Sequence, residues 1–313
     1  MLKSMLSLSV TQKASDLHLS SGEVARIRIN GQLQCVSNKK LSPLDLESEL
    51  LTLLNESQKL QLQQDKQIDL AYQSPEIGRF RVNIFYQQRG ISAVFRMIKK
   101  QIPDLDEIGA PEVFKKLTTN ESGIILVTGT TGSGKSTTLA SLIEYINSTQ
   151  SKHIITLEDP IEFIYHNQHS LIQQRELTNF DYALDSLLRQ DPDIILLGEL
   201  RNKKSIQTAL TVAETGHLVF ATLHTCSAIQ SINRIIDVFD ESSRNFIRTQ
   251  LSNNLRAIIS QKLILTKNGR KALFEVLINT PAVSNLINEG KIKQIISLMQ
   301  TGRQHGMQII TDQ

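Results

Sequence analysis

The stretch GIILVTGTTGSGKST, residues 123–137, decides the fold. GIILVTG is an apolar run of strand length. GTTGSGKST, residues 129–137, fits G-x-x-x-x-G-K-[ST] in full, and STTLASLIEYINSTQ reads as a helix opening directly from it. Strand, glycine loop and helix in that order form the context in which this motif cradles phosphates. Gly129, Gly132 and Gly134 allow backbone positions and close approaches that a Cβ would hinder. The N–H groups along Thr130, Thr131 and Ser133, and those of the helix start at Ser136 and Thr137, then face an anion. Lys135 is expected to reach the β and γ phosphates of ATP, and Ser136 to ligate Mg2+.

Reading outward, the pattern repeats as expected for a parallel α/β core. HIITLEDP and PDIILLGE are short apolar strands that end in acids, and HLVFATLH is a further strand. A phosphate loop needs a carboxylate at the end of a neighbouring strand to handle Mg2+ and water. Glu199 follows the apolar run Ile194–Leu197 and stands where a water-positioning base is expected. Gly198 stands where the usual metal-binding Asp would be. The metal carboxylate must then come from elsewhere, and LEDPIE offers Glu158, Asp159 and Glu162. A solvated loop, or an N-cap by Asp159 before Pro160, is the competing use of these acids. In ETGHLVFATLHT, His217 and His224 are seven residues apart. A straight strand puts them on opposite faces, which argues against a metal pair. His224 ends the strand, where sensing a γ-phosphate and a purely structural role are both open to it.

The first hundred residues read as α+β. VARIRINGQLQCV alternates around Asn30-Gly31, a hairpin signal. Residues 41–64, LSPLDLESELLTLLNESQKLQLQQ, have leucines at helical spacing. GRFRVNIFYQQRGISAVFRMI is a second hairpin. It has Phe80, Val82, Ile84 and Tyr86 on one strand face and Arg79, Arg81 and Asn83 on the other. Its turn carries Arg89, and its return strand carries Arg96. Two prolines, charges and a glycine in KKQIPDLDEIGAP, residues 99–111, predict a linker. The expected domains are therefore 1–98 and 112–313.

Composition narrows the function classes. The 313 residues suit about two domains, taking roughly 150 residues for each. Net charge is +3 and aromatics are 5%, which argues against a nucleic-acid motor. The two cysteines, Cys35 and Cys226, are too few for a disulfide framework. The first residues are too broken for a signal peptide, and no run approaches the about 18 apolar residues of a membrane helix. A cytoplasmic protein is expected.

Taken together, the phosphate loop, LEDPIE, RQDPDIILLGELR and ETGHLVFATLHT resemble the secretion ATPases of type II secretion and type IV pili. From ASDLHLSSG onward the chain is similar, almost end to end, to the pilus retraction (twitching motility) ATPases. GRFRVNIFYQQRG, VFR, EVLINTPAVSNLI and QTGRQHGMQ extend the match. The resemblance implies a PAS-like N-terminal domain, a RecA-like ATPase domain and a homohexameric ring that hydrolyses ATP. It implies an acidic box of Glu158, Asp159 and Glu162, a catalytic Glu199 and a histidine box of His217 and His224. Arg201, just past Glu199, falls in the same matched segment. In such rings arginines of the N-terminal domain reach the nucleotide, and Arg79, Arg81, Arg89 and Arg96 are the matching positions. An arginine supplied to the γ-phosphate can be worth roughly 10³–10⁵ in rate. The family further implies that ring motion passes to an inner-membrane platform protein of the pilus machinery.

Two cysteines leave no room for the cysteine-rich zinc insert of many extension and secretion members. The N-terminal extension of those members is also missing, and both features favour the retraction branch. Against the retraction pattern, the segment before Phe180 is shorter, and Asp185 stands where Arg is usual. Asn202 stands where Asp is usual, Ser284 and Asn288 replace arginines of a C-terminal motif, and the chain stops at Gln313. These departures motivate a second reading, a weakly active ring subunit that scaffolds a related pilus ATPase. A type II secretion or pilus extension ATPase is a further alternative.

Overall fold

The computed structural model describes residues 1–29, 31–98, 101–177, 187–266 and 269–310. The chain divides into two compact units, Met1–Gln101 and Ile102–Gln313. Asn30, Phe180 and Asp185 lie outside the described residues.

The first unit is built on a six-stranded antiparallel sheet. Its strands are β1 (Asp16–Ser20), β2 (Val24–Ile29), β3 (Gln32–Lys40), β4 (Gln67–Ser74), β5 (Gly78–Gln87) and β6 (Gly90–Ile98). They run in the order β3-β2-β1-β6-β5-β4. Both expected hairpins form, and β5–β6 closes with Gln87 paired to Gly90. Phe80, Val82 and Ile84 are buried on the face covered by helices Leu2–Thr11, Pro43–Leu51 and Glu56–Asp65. Strands β1 and β4 have no counterpart in the sequence reading.

The single helix expected over 41–64 is two helices. Ser42 caps the first, with Pro43 at its start. Asn55 opens the second through a reciprocal capping box with Gln58. A side chain that satisfies the N–H groups of a new helix start competes with continuing the old helix. The break lets Leu46, Leu50, Leu54 and Leu62 all reach the same core.

The second unit holds a seven-stranded sheet in the order β13-β12-β7-β11-β10-β8-β9. Its strands are β7 (Gly123–Thr128), β8 (His153–Glu158), β9 (Leu171–Glu176), β10 (Ile194–Leu197), β11 (Leu218–Leu223), β12 (Leu255–Thr266) and β13 (Gly269–Ile278). All neighbours are parallel except β12–β13. The α/β expectation is met, and the apolar runs of the sequence reading are β7, β8, β10 and β11. Every residue of β7, β10 and β11 is buried, as befits a parallel sheet covered on both faces. One face packs on helix Lys135–Thr149 and on Phe114 and Leu117. The other packs on helices Lys203–Glu214, Ala228–Asp237 and Glu241–Asn254.

From Ile102 on, the stretch read as linker belongs to the second unit. Leu105 is buried in its core, and the Pro103 carbonyl accepts a hydrogen bond from Ser141 Oγ at 2.7 Å. Proline and charge predict the lack of regular structure there, but not the packing.

Leu142, fully buried on the helix after the phosphate loop, tests this core. Leu142→Ala should cost about 2–5 kcal/mol of unfolding free energy, because the cavity cannot collapse between sheet and helix. Urea denaturation followed by circular dichroism measures it.

Candidate active site

The site forms past the carboxyl ends of β7, β11, β10 and β8, where β8 and β10 stop within one residue of each other and β7 and β11 run two residues beyond β10. Leu223 pairs with Thr128, Leu197 with Ala221, and Leu157 with Leu197. The residues just past these pairs are Gly129, His224, Gly198 and Glu158, so segments distant in sequence meet at one edge. This is the carboxyl end of the strands, where open α/β sheets bind ligands.

The phosphate loop runs from β7 into helix Lys135–Thr149. Its tightness has a measurable cause at Gly129. Its φ is +152°, and a Cβ there would lie 2.4 Å from Ser133 Oγ and 2.5 Å from the Gln261 carbonyl. Gly134, with φ +90°, caps the helix, and a Cβ on it would meet Gln261 Nε2 at 2.8 Å. The first helical turn at Lys135, Ser136 and Thr137 has no acceptor for its N–H groups within the helix. Ser133 Oγ is buried and unpartnered. Lys135 is only 8% exposed and folds back on the loop. Its Nζ donates to the carbonyls of Gly129 at 2.8 Å and Thr130 at 3.1 Å. Burial pulls its pKa below the ordinary lysine value, while Glu199, Glu162 and Cys226 act in the opposite direction.

A cleft opens beside the loop. Thr131, Gly132, Lys135 and Ser136 are among its lining residues, as are the polar groups of Glu158, Asp159, Glu162, Glu199, Arg201 and His224. Glu158 ends β8 and is held by Thr156 Oγ1 at 2.6 Å and Gln174 Nε2 at 3.2 Å, both donating to its Oε1. Burial raises its pKa above the ordinary glutamate value; these hydrogen bonds only partly oppose the rise. Asp159 begins no helix, so the N-cap use of the sequence reading is set aside. Its Oδ2 instead lies 3.5 Å from Arg201 Nη1. The hydrogen bond from Arg201 Nε to Glu199 Oε2, 2.8 Å, raises the arginine pKa further. His224 Nε2 lies 3.3 Å from Glu199 Oε1, and its Nδ1 lies 3.3 Å from Thr131 Oγ1.

Gly198 has its own reason to be glycine. A Cβ there would press at 3.3 Å on the Leu157 carbonyl of the adjoining strand. Its N–H donates to that carbonyl at 2.8 Å, and its own carbonyl accepts from Thr222 Oγ1.

The structure does not bring every candidate here. His217 precedes β11 and sits by Thr215 Oγ1 at 3.1 Å. The strand of six residues separates it from His224 by about 20 Å. The four arginines belong to the first unit. Arg96 pairs with the buried Asp16 at 2.9 Å, Arg81 lies 3.7 Å from Asp69, and Arg89 pairs with Glu23. Arg79, on the same strand face as Arg81, completes the set. Arg81 and Arg96 are direct cross-strand neighbours.

Sequence reasoning missed Gln261, which is buried on β12. Its Oε1 accepts from Thr138 Oγ1 at 2.6 Å, and its backbone walls the phosphate loop. A glutamine inside the apolar run LRAIISQKLIL was the available signal. Asn202 caps helix Lys203–Glu214 through a capping box with Ser205. Ser284 Oγ donates to the Ser252 carbonyl at 2.9 Å, and Asn288 Oδ1 accepts from Thr249 Oγ1 at 3.0 Å.

Known proteins resemble this chain over most of its length. A Pseudomonas aeruginosa protein described as "Type IV pilus retractation ATPase PilT" is 44% identical over 311 residues, covering 98% of this chain and 90% of the relative. A Neisseria gonorrhoeae "Twitching motility protein" is 46% identical over 308 residues, covering 95% of this chain and 82% of the relative. Among solved structures, that of the pilus retraction motor PilT with bound ADP superposes with a TM-score of 0.90 at 41% identity. It covers 95% of this chain and 89% of that one. The family model for type II/IV secretion system proteins matches residues 1–268, and the chain belongs to that family.

Proposed function

We propose that the chain is an ATP-hydrolysing motor subunit that powers type IV pilus retraction and, with it, twitching motility. The observation that carries this reading is the single cleft in which the Lys135 phosphate loop faces the carboxylate of Glu199. The relatives' described activity points the same way.

The loop residues cradle the triphosphate. Lys135 exchanges its two carbonyl acceptors for β and γ phosphate oxygens. Glu199, carried on the strand end next to the loop's own neighbour, orients the attacking water and takes its proton. His224 stands between Glu199 and the loop, within reach of a γ-phosphate.

The donor set also fits Mg2+. Among the described residues no group of three or more His, Cys, Asp or Glu is placed to hold a metal. Magnesium typically takes one or two carboxylates together with substrate phosphates and water. Ser136 Oγ with Glu158 or Asp159 supplies the protein's share. Bound there, the ion neutralises phosphate charge.

The ring, its partners and its place in the cell extend this reading. A homohexamer lets arginines of one N-terminal unit, Arg79, Arg81, Arg89 and Arg96, complete a nucleotide site on closure. Motion then passes to an inner-membrane platform protein. A related pilus ATPase is a further possible partner, and no nucleic acid is needed. Among the described residues no helix is long and apolar enough to cross a membrane. A cytoplasmic ring docked on the pilus base agrees with that.

Deleting the gene should leave cells with excess pili and no surface motility, scored by electron microscopy and twitching zones. Bald cells would mean extension instead. Glu199→Gln should keep ATP binding and lose at least about 100-fold in phosphate release. Near-normal release would remove Glu199 from its role.

Glu158→Gln should likewise lose turnover yet hold or gain thermal stability. The amide oxygen still accepts from Thr156, without a buried charge. Because the folded-state pKa of Glu158 is raised, the folded chain binds more protons than the unfolded one in the intervening range. Wild-type stability relative to the variant should therefore fall as pH rises from the ordinary glutamate value through the raised one. Melting curves across that range check the sign.

A further inference from the structure

Arg201 lies two residues past Glu199, just before the Asn202 cap of helix Lys203–Glu214, and the backbone leading to it is pinned from both sides. Gly198 N–H donates to the Leu157 carbonyl, and Leu200 N–H donates to the Thr222 carbonyl at 3.0 Å. Leu200 is buried. In extended backbone its two neighbours then share the opposite side, and both Glu199 and Arg201 line the cleft.

We propose that Arg201 is a positioning residue for the hydrolytic step, bridging Glu199 to Asp159 and, together with His224, fixing the plane of the Glu199 carboxylate. The proposal rests on the reading that Glu199 handles the attacking water. Each oxygen of that carboxylate has one neighbour. Arg201 Nε donates to Oε2 at 2.8 Å, and His224 Nε2 stands 3.3 Å from Oε1. A carboxylate held at one oxygen swings about its last torsion, whereas one held at both does not. Each oxygen keeps a further lone pair, so a water can still bind.

Both holders are themselves anchored. Arg201 Nη1 reaches toward Asp159 Oδ2 at 3.5 Å, on the acidic strand end. His224 Nδ1 rests 3.3 Å from Thr131 Oγ1, on the phosphate loop. The series Thr131, His224, Glu199, Arg201, Asp159 therefore runs round the cleft from loop to acids. A planar guanidinium holds two carboxylates through a rigid fork of donors, whereas a lysine is a point charge on a flexible stem and fixes neither in orientation. Arg201 is 55% exposed, and exposed ion pairs contribute little to stability. Its loss should thus leave the fold intact.

The test uses the full chain with magnesium and ATP. Steady-state phosphate release and fluorescent-nucleotide titration are measured for Arg201→Gln, Arg201→Lys and the reference Glu199→Gln. Arg201→Gln should lower kcat by about 10–100-fold, as misplacement of a catalytic group does. Nucleotide affinity should stay within about threefold, and the melting temperature should be unchanged. Arg201→Lys should recover only part of the loss, and it decides the matter if the glutamine variant does not fold. Wild-type kcat in Arg201→Gln, full activity in Arg201→Lys, or a loss confined to nucleotide affinity would each overturn the proposal. If Glu199→Gln itself turns over normally, the reading of Glu199 fails first. If it is inactive while both arginine variants keep the wild-type rate, the positioning role alone fails.

Discussion

A parallel sheet covered on both faces leaves only its strand ends for chemistry. In the second unit the three central strands, β7, β11 and β10, are wholly buried, with one apolar cluster on each side. A charged side chain within those strands would be stranded without water. The polar groups therefore collect where the strands stop, and the register brings the ends of β7, β8, β10 and β11 to within two residues of one another at the same edge of the sheet. Lys135, Glu158, Glu199 and His224 share a cleft for that reason, although 89 residues of chain separate the first from the last.

The same constraint explains how much was legible in the sequence. Buried parallel strands read as short, uninterrupted apolar runs, so GIILVTG, PDIILLGE and HLVFATLH stand out, together with the polar residues at their ends. The phosphate loop is legible because its glycines are demanded locally. The contact of His224 with Glu199 depends instead on β11 lying beside β10, a fact of topology that no local pattern carries. The β12–β13 hairpin went unread, and with it Gln261, because its apolar run is broken by polar residues and one edge is exposed. In the first unit, helical leucine spacing continues through residues 52–55, but Asn55 starts a new helix there. Periodicity alone does not register a cap.

Among the described residues, Asn202, Ser284 and Asn288, singled out in the sequence, have ordinary structural employment. Asn202 caps a helix, which an aspartate would do equally well. Ser284 and Asn288 tie helix Pro281–Asn288 to the preceding helix Glu241–Asn254 by short polar contacts. Ser284 and Asn288 thus join two helices, one half-buried and one at the surface, without lining the cleft.

Lys135 and Glu158 are shifted in opposite directions by one cause. Each is largely removed from water, and burial disfavours whichever form is charged. Structural groups left in that state would be a defect; around the phosphate that the proposed function places there, they would be a preparation. The Lys135 ammonium sits on two carbonyls of the glycine loop, so on the proposed reading a phosphate would replace neutral acceptors with charged ones at the same place. Little has to move, and the gain comes largely from the charge of the arriving group. Glu158 answers in kind, since a cation beside it would favour the carboxylate that burial opposes. On the proposed reading, triphosphate and cation together would relieve what each residue alone endures.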